Sequence, residues 1–321
     1  MSVEQDPAGR LRLAAAGGLK PPDRTRGVVL TLIGAALFST KAVFIKLAYV
    51  YEVAPIELLG LRMAISLPFF LAVGAVHMRR IKPDVDMDAR AVLLAVLIGL
   101  VGYYVASFTD FAGLRYVSAG MERIILFIYP TMVLIAQRVF FGTRTTTMQW
   151  VATALSYAGI VLAFSQGDTS AGSRFYRGAA LVLVSAATYS VYVIGSGRMT
   201  PRYGTIRFTT VAMVAAAIGV LAHVYLSGHS LAGLATPVYG WSVVIAIVCT
   251  VIPTYLVADG IKHAGAGDAA IIGAIGPVVT IGLEYYALPD RLTPLQLVGG
   301  AMVVAGVVLA ARSKPSRAPG A

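Results

Sequence analysis

The sequence predicts an all-α membrane protein of ten transmembrane helices, arranged as two inverted five-helix repeats. Three observations predict it. First, 58% of the 321 residues are hydrophobic, the mean hydropathy is +0.78, and only 13% are charged. Soluble proteins carry about 25% charged residues. Water would demand a far more polar covering for such a core, and lipid removes that demand. Second, Gly113–Ala163 aligns without a gap to Gly260–Ala310 at a constant offset of 147, with about a third of the positions identical. Third, the apolar residues fall into ten runs, most of them close to the ~20 residues that a hydrocarbon core of about 30 Å requires.

Residues 1–26 are a basic tail without periodicity, and 312–321 are a second one. The apolar stretch Leu13–Gly18 is too short for a signal-peptide core, so the first spanning helix directs insertion. The predicted helices are 27–49, 55–76, 90–110, 118–140 and 147–164 in the first repeat (27–164). A polar linker at 165–177 follows, then 178–196, 206–226, 239–258, 268–287 and 294–311 in the second repeat (178–311). With the N-terminus inside, the inner segments hold most Lys and Arg, among them Arg79, Arg80, Lys82, Arg90, Arg144, Arg198, Arg202 and Lys262. The outer segments hold only Arg115, Arg174, Arg177 and Arg291. This bias puts both termini in the cytoplasm. Five helices per half is an odd number, so the second repeat enters from the opposite side.

Helix one carries Lys41, about 21 Å along the axis from Gly27 and too deep to snorkel easily. Lys46 is nearer the outer end. On helix two, Glu57 and Arg62 are five residues apart, which is a poor register for a mutual salt bridge. Helix four opens with Glu122 and Arg123. Glu122, Leu126, Tyr129, Val133 and Gln137 share one stripe by helical spacing. Intramembrane charges are expensive and usually face a cavity. Glu122 in a first turn also suits the helix dipole, which is the competing structural reading. A carboxylate in a cavity can carry a proton, whereas one beside a cation is a fixed charge for substrate. Lys41, Glu122 and Arg123 together suit a zwitterionic substrate.

Pro130 and Pro277 are repeat equivalents in the middle of helices four and nine. Each is expected to kink its helix and free a carbonyl, near Leu126 and near Gly273. A symmetric pair of broken helices suits hinges in an alternating pathway; a static kink is the competing reading. Glu284 lies near the outer end of helix nine. Tyr129, Tyr189 and Tyr192 pair apolar area with a hydroxyl, as a mid-membrane site requires. Tyr189 and Tyr192 stand at the repeat positions of Phe38 and Lys41. Helices five and ten carry Ala154-x-x-x-Ala158 and Ala301-x-x-x-Ala305, small residues at a spacing that permits close helix contact.

The same residues carry a family resemblance. Gly113-Leu-Arg-Tyr-Val-Ser-Ala-Gly120 and Gly260-Ile-Lys-His-Ala-Gly-Ala-Gly267 each precede a proline-bearing helix. The final helices end in Gly159-Ile-Val-Leu162 and Gly306-Val-Val-Leu309. Phe44-Ile-Lys46 and Leu61-Arg62 fit as well. Over 27–311 the chain resembles the EamA-type transporters of the drug/metabolite transporter superfamily. The resemblance implies a cavity lined by helices one, two, four, six, seven and nine. It also implies helices five and ten paired within one chain, so that a monomer suffices. Relatives carry amino acids, other metabolites, drugs or nucleotide sugars. Where the family often has a glutamate seven residues after each proline, this chain has Glu284 in one half and Gln137 in the other.

Other chemistries are poorly represented. The net charge of +11 sits in loops and tails rather than on one helical stripe, so nucleic acid is not the partner. Cys249 is the one cysteine, which rules out an internal disulfide. His77, His223, His229 and His263 are scattered, with no metal-ligand spacing. No Walker sequence or Gly-x-Ser-x-Gly elbow occurs, and no cofactor is implied. The reading is a bacterial inner-membrane secondary transporter, exporting small metabolites such as amino acids, with coupling to protons or to nothing. An intramembrane enzyme acting on lipid headgroups and a passive channel are the alternatives.

Overall fold

The computed structural model describes residues 24–80, 85–142, 145–165, 173–264, 272–289 and 291–312. The tail up to residue 23, Lys82, Arg144, most of the predicted linker and the Gly265-Ala-Gly267 segment lie outside the described residues. Among those described, every regular element is helical. Eight helices are long and apolar enough to cross a membrane: α1 (Thr25–Tyr49), α2 (Pro55–Arg79), α3 (Ala89–Gly113), α4 (Ala119–Phe141), α5 (Thr147–Phe164), α6 (Ser173–Tyr203), α7 (Thr205–Leu226) and α8 (Thr236–Gly260). Two shorter helices follow, α9 (Gly276–Ala287) and α10 (Pro294–Arg312). The segment predicted as a ninth span is described only from residue 272. Helix α6 starts at Ser173, which shortens the predicted linker.

The helix ends follow local chemistry. Asp88 caps α3, its side chain accepting the Ala91 N–H at 2.8 Å, and Ser118 caps α4 through the Met121 N–H at 3.1 Å. Thr146 and Gln149 form a capping box at α5. Thr293 and Gln296 make the same reciprocal pair at α10. Each box satisfies two N–H groups that a helix start otherwise leaves open. That requirement explains why Thr and Gln recur at matched repeat positions.

Two irregularities also recur at the repeat offset. Helix α3 widens into a π-helical stretch at Leu100–Val105, and α8 does so at Ile247–Val251. Helix α4 breaks after Leu126 and resumes at Tyr129; the chain before α9 turns at 274–275 and resumes at Gly276. The prolines differ from expectation here. Pro130 and Pro277 are not mid-helix kinks but the second residue of the resumed helix. Proline fits that position because its missing N–H has no intrahelical partner there anyway.

The helices pair across the repeats. Helix α1 packs on the C-terminal half of α8, and α6 packs on the C-terminal half of α3. The two crossings share one geometry. A Cβ at Gly260 would lie 3.0 Å from the Gly27 carbonyl oxygen, and a Cβ at Gly113 would lie 3.0 Å from that of Gly178. Helix α2 packs on α7, and α5 on α10.

The α5–α10 contact runs on a different face from the expected one. Ala154, Ala158, Ala301 and Ala305 are all exposed. The close approach is made by Ala152, Ser156 and Gly159 against Gly299, Val303 and Gly306, all buried. Alanines at that spacing permit a helix contact, but the glycines one position along allow nearer backbones and take the contact face instead.

Large apolar side chains such as Leu93, Leu97, Phe140, Ile218 and Val278 point outward. Such a surface matches lipid rather than water. The buried core lies along α1, α2, α3 and α7, with a second cluster among α4, α5, α6 and α10. The charged site sits where these two clusters meet.

Candidate functional site

Helix α1 is interrupted at Thr40, immediately before Lys41. The Thr40 hydroxyl donates to the Leu37 carbonyl at 2.8 Å and lies 3.2 Å from the Cys249 Sγ of α8. Lys41 Nζ donates to Asp110 Oδ2 of α3 at 2.5 Å. The Asp110 side chain is 2% exposed and that of Lys41 15%.

Beside this pair, the broken α4 delivers Glu122 and Arg123. The Glu122 side chain is wholly buried, and its Oε2 lies 3.7 Å from Arg123 Nε. Arg123 reaches back to α1, with Nη2 3.4 Å from the Phe38 carbonyl oxygen. Asp110 Oδ1, both Glu122 carboxyl oxygens and Arg123 Nε are buried without a hydrogen-bond partner among the described residues. Burying ions costs several kcal/mol each unless they are paired and hydrogen-bonded. This cluster is paired and incompletely hydrogen-bonded, which is the state of a site built to receive something further.

A third cation lies nearby. Arg62 of α2 is buried and donates through Nε to Thr250 Oγ1 at 2.9 Å, through Nη2 to Tyr103 Oη at 2.7 Å and through Nη1 to Ser107 Oγ at 3.4 Å. Its guanidinium also stands over the rings of Tyr103 and Phe111. Glu57 is occupied elsewhere, 2.8 Å from His229 Nδ1, so it makes no pair with Arg62.

The tyrosines form one continuous wall. Tyr129 meets Tyr189 edge-on with centroids 5.0 Å apart, Tyr189 stacks on Tyr192 at 5.9 Å, and Tyr192 meets Tyr103 at 5.8 Å. Ser190 fixes α6 to the break in α4 by donating to the Tyr129 carbonyl at 3.2 Å. Thr280 of α9 does the same for α1, donating to the Ser39 carbonyl at 2.6 Å.

Lys41, Glu122, Arg123, Tyr129, Tyr189 and Tyr192 therefore belong to one neighbourhood. Glu284 of α9 is buried against the start of α4, where its Oε2 accepts the Gly120 N–H at 2.9 Å. Pro130 adjoins the tyrosine wall, and Pro277 is buried on α9. Sequence reasoning missed Asp110. Its signal was an acid at the end of a long apolar run, but the predicted helix stopped at 110 and placed it at the membrane boundary. The helix runs on to Gly113, which puts Asp110 inside. Thr250 was missed because a lone threonine in an apolar helix carries no signal of its own. Among the described residues, no three His, Cys, Asp or Glu side chains gather as a metal would need.

The EamA-like transporter family model matches residues 25–165 and 176–312, covering both repeats. The chain belongs to the EamA-like transporter family. This EamA-like protein is an integral membrane protein. It is 31% identical over 280 residues to the uncharacterized transporter YcbK of Bacillus subtilis (strain 168), covering 85% of this chain and 88% of that one. It is 25% identical over 260 residues to a probable terminal-alkyne amino-acid exporter of Streptantibioticus cattleyicolor, covering 81% and 84% of the two chains. One solved crystal structure shares the fold with a TM-score of 0.58 at 19% identity, covering 90% of this chain and 97% of that chain.

Proposed function

We propose that this EamA-like protein is a secondary transporter that exports small metabolites, amino acids or similar compounds, by alternating access. In this reading ten helices span a bacterial inner membrane as two inverted halves, 27–164 and 178–311, with both termini in the cytoplasm and one chain sufficient for transport. The observation that carries the proposal is the buried quartet of Lys41, Asp110, Glu122 and Arg123, set where α1, α3 and α4 converge inside an apolar bundle. Two anions and two cations suit a zwitterion: the acids face its ammonium group and Arg123 its carboxylate. The tyrosine wall supplies apolar area beside that charge. The breaks before Pro130 and Pro277 act as hinges. The exporter among the relatives supports the substrate class and the direction.

The test is counterflow. Purified protein in liposomes loaded with a mixture of L-amino acids is expected to accumulate labelled amino acids from outside, saturably. Lys41→Ala and Glu122→Gln should each lose most of that flux. Unsaturable ion conductance would indicate a channel, and altered headgroups in the lipid extract would indicate an enzyme. Normal counterflow in both variants would remove the proposed site.

A further inference from the structure

We infer, on the carrier reading and orientation above, that the segment joining α7 to α8 (227–235) is a hinged flap that closes the outer end of the pathway, and that it is seated in this structure. Burial is lopsided along the helices. In the outer half of α1, Ala42, Val43, Ile45 and Ala48 have no exposed surface, whereas Val29, Leu32 and Ile33 in its inner half are exposed. Helix α4 is buried from Ala119 to Glu122, and beyond Thr131 every residue through Gly142 is half-buried or exposed. The outer end is the closed one, and the flap lies over it, with Leu231 and Leu234 packed on the buried core of α1, α2, α3 and α7.

The flap has two unequal attachments. Helix α8 holds it twice, because Tyr239 Oη donates to the Leu231 carbonyl at 2.8 Å and accepts the Leu234 N–H at 3.3 Å. Helix α2 holds it by one side-chain pair, His229 Nδ1 to Glu57 Oε1 at 2.8 Å, and by one seat. The seat is Gly60, where a Cβ would lie 2.9 Å from Leu231 Cδ2. Glu57 is itself fixed, since its Oε2 accepts the Ala54 N–H at 2.9 Å. The seam against α2 is therefore the one that parts, and the flap travels with α8. Gly228 supplies the joint to α7. Its φ is 72°, which glycine adopts without the cost a Cβ brings, and nothing lies within 4 Å of where that Cβ would be. Lids open on a few such loop residues.

The opposite face carries the counterpart. There the segment between α2 and α3 meets the first turn of α7, as the flap meets the first turn of α2. Arg207 Nη1 donates to the Val85 carbonyl at 3.2 Å, and its Nη2 lies 3.4 Å from Asp86 Oδ1. The Asp86 side chain is 88% exposed, against 15% for Glu57. An ion pair so exposed adds little. One latch is seated and the other is loose, as a carrier closed on one side requires.

The first test needs no substrate. Leu231→Cys and Ala232→Cys are each labelled with a water-soluble maleimide in nanodiscs, with and without His229→Ala, and the rate of the buried native Cys249 is subtracted. Release of the latch should raise labelling at position 231 about three- to tenfold, the weight of one hydrogen bond, and leave the exposed position 232 unchanged. In the second test, Glu57→Cys/His229→Cys is joined by a short, reducible bis-methanethiosulfonate linker before reconstitution. Counterflow of labelled L-amino acids should be lost and should return with reductant, which also shows that the linked protein is folded. A rate at position 231 indifferent to His229→Ala, or counterflow that survives the link, overturns the flap. A labelling response without wild-type counterflow keeps the flap and removes the amino-acid reading.

Discussion

Tyr103 and Thr250 occupy the same place in the two repeats, and both bind one guanidinium. Arg62 donates to Tyr103 Oη at 2.7 Å and to Thr250 Oγ1 at 2.9 Å. Each partner sits in a π-helical stretch, Leu100–Val105 in α3 and Ile247–Val251 in α8. A π turn rotates the following side chains and leaves room beside the axis, and such turns gather at functional sites. Here both rotations aim a hydroxyl at the same cation, so one residue of the first repeat links the irregular centres of both.

Arg62→Met should therefore destabilise the whole bundle. It strips a donor from two buried hydroxyl groups, at about 1–3 kcal/mol each. Arg62→Lys keeps the charge but cannot reach both hydroxyls with a planar fork. Thermal unfolding of the detergent-solubilised protein, followed by the monodisperse peak in size-exclusion chromatography, should rank wild type above Arg62→Lys and Arg62→Lys above Arg62→Met. Equal midpoints would show that the link bears no load.

The Lys41–Asp110 pair makes a sharper prediction. Removing one member of a buried ion pair leaves the other uncompensated, typically at about 3–5 kcal/mol. Lys41→Ala and Asp110→Ala should each lower the unfolding midpoint strongly, and the double variant should lose much less than the two losses combined. A coupling free energy near zero in that double-mutant cycle would mean that the 2.5 Å contact contributes nothing measurable.

Much of this was legible in the sequence, for reasons that differ by residue. The repeat explains why caps, breaks and crossings recur in matched pairs, because the same residue types meet the same local needs twice. Thr146 with Gln149 and Thr293 with Gln296 are caps wherever they stand before an apolar helix. Lys41, Glu122 and Arg123 were visible because charge inside an apolar run is costly. Asp110 was hidden by a helix end placed three residues early, and sequence patterns locate ends less well than helices. The π stretches were invisible, since no residue pattern marks them; at the first, Gly102 lies against the Tyr192 backbone and Gly99 against the Ala212 carbonyl, contacts that exist only in the fold. The exposed alanines of α5 and α10 mark the remaining limit. Two small-residue faces existed on each helix, and only the partner's shape selects between them.

Glu284 is expected to act as a strut rather than as part of the charged quartet. It accepts the Gly120 N–H from a buried position, and hydrogen bonds to a charged group are worth about 1.5–3 kcal/mol. Glu284→Ala should cost stability in that range, while Glu284→Gln, which keeps an acceptor oxygen, should cost less. Gly120→Ala should resemble Glu284→Ala, because its Cβ would collide with the same carboxylate. Thermal unfolding of the three variants checks this order, and a Glu284→Ala variant as stable as wild type would exclude the strut.

The choice of face between α5 and α10 is open to a direct comparison. A Cβ at Gly159 would lie 2.5 Å from the Gly299 carbonyl oxygen, and one at Gly299 would lie 2.5 Å from that of Gly159. Both obstacles are backbone, which cannot rotate away as a side chain would. Gly159→Val and Gly299→Val must then push the helices apart, at a cost of about 1–3 kcal/mol or more. Ala154→Val and Ala301→Val add similar volume on the exposed face and should stay within about 0.5 kcal/mol of wild type. Thermal unfolding of the four variants in detergent and in lipid nanodiscs separates the faces. Should the alanine variants be the damaged ones, particularly in lipid, the exposed face would be the one in contact and the packing described for these helices would be wrong.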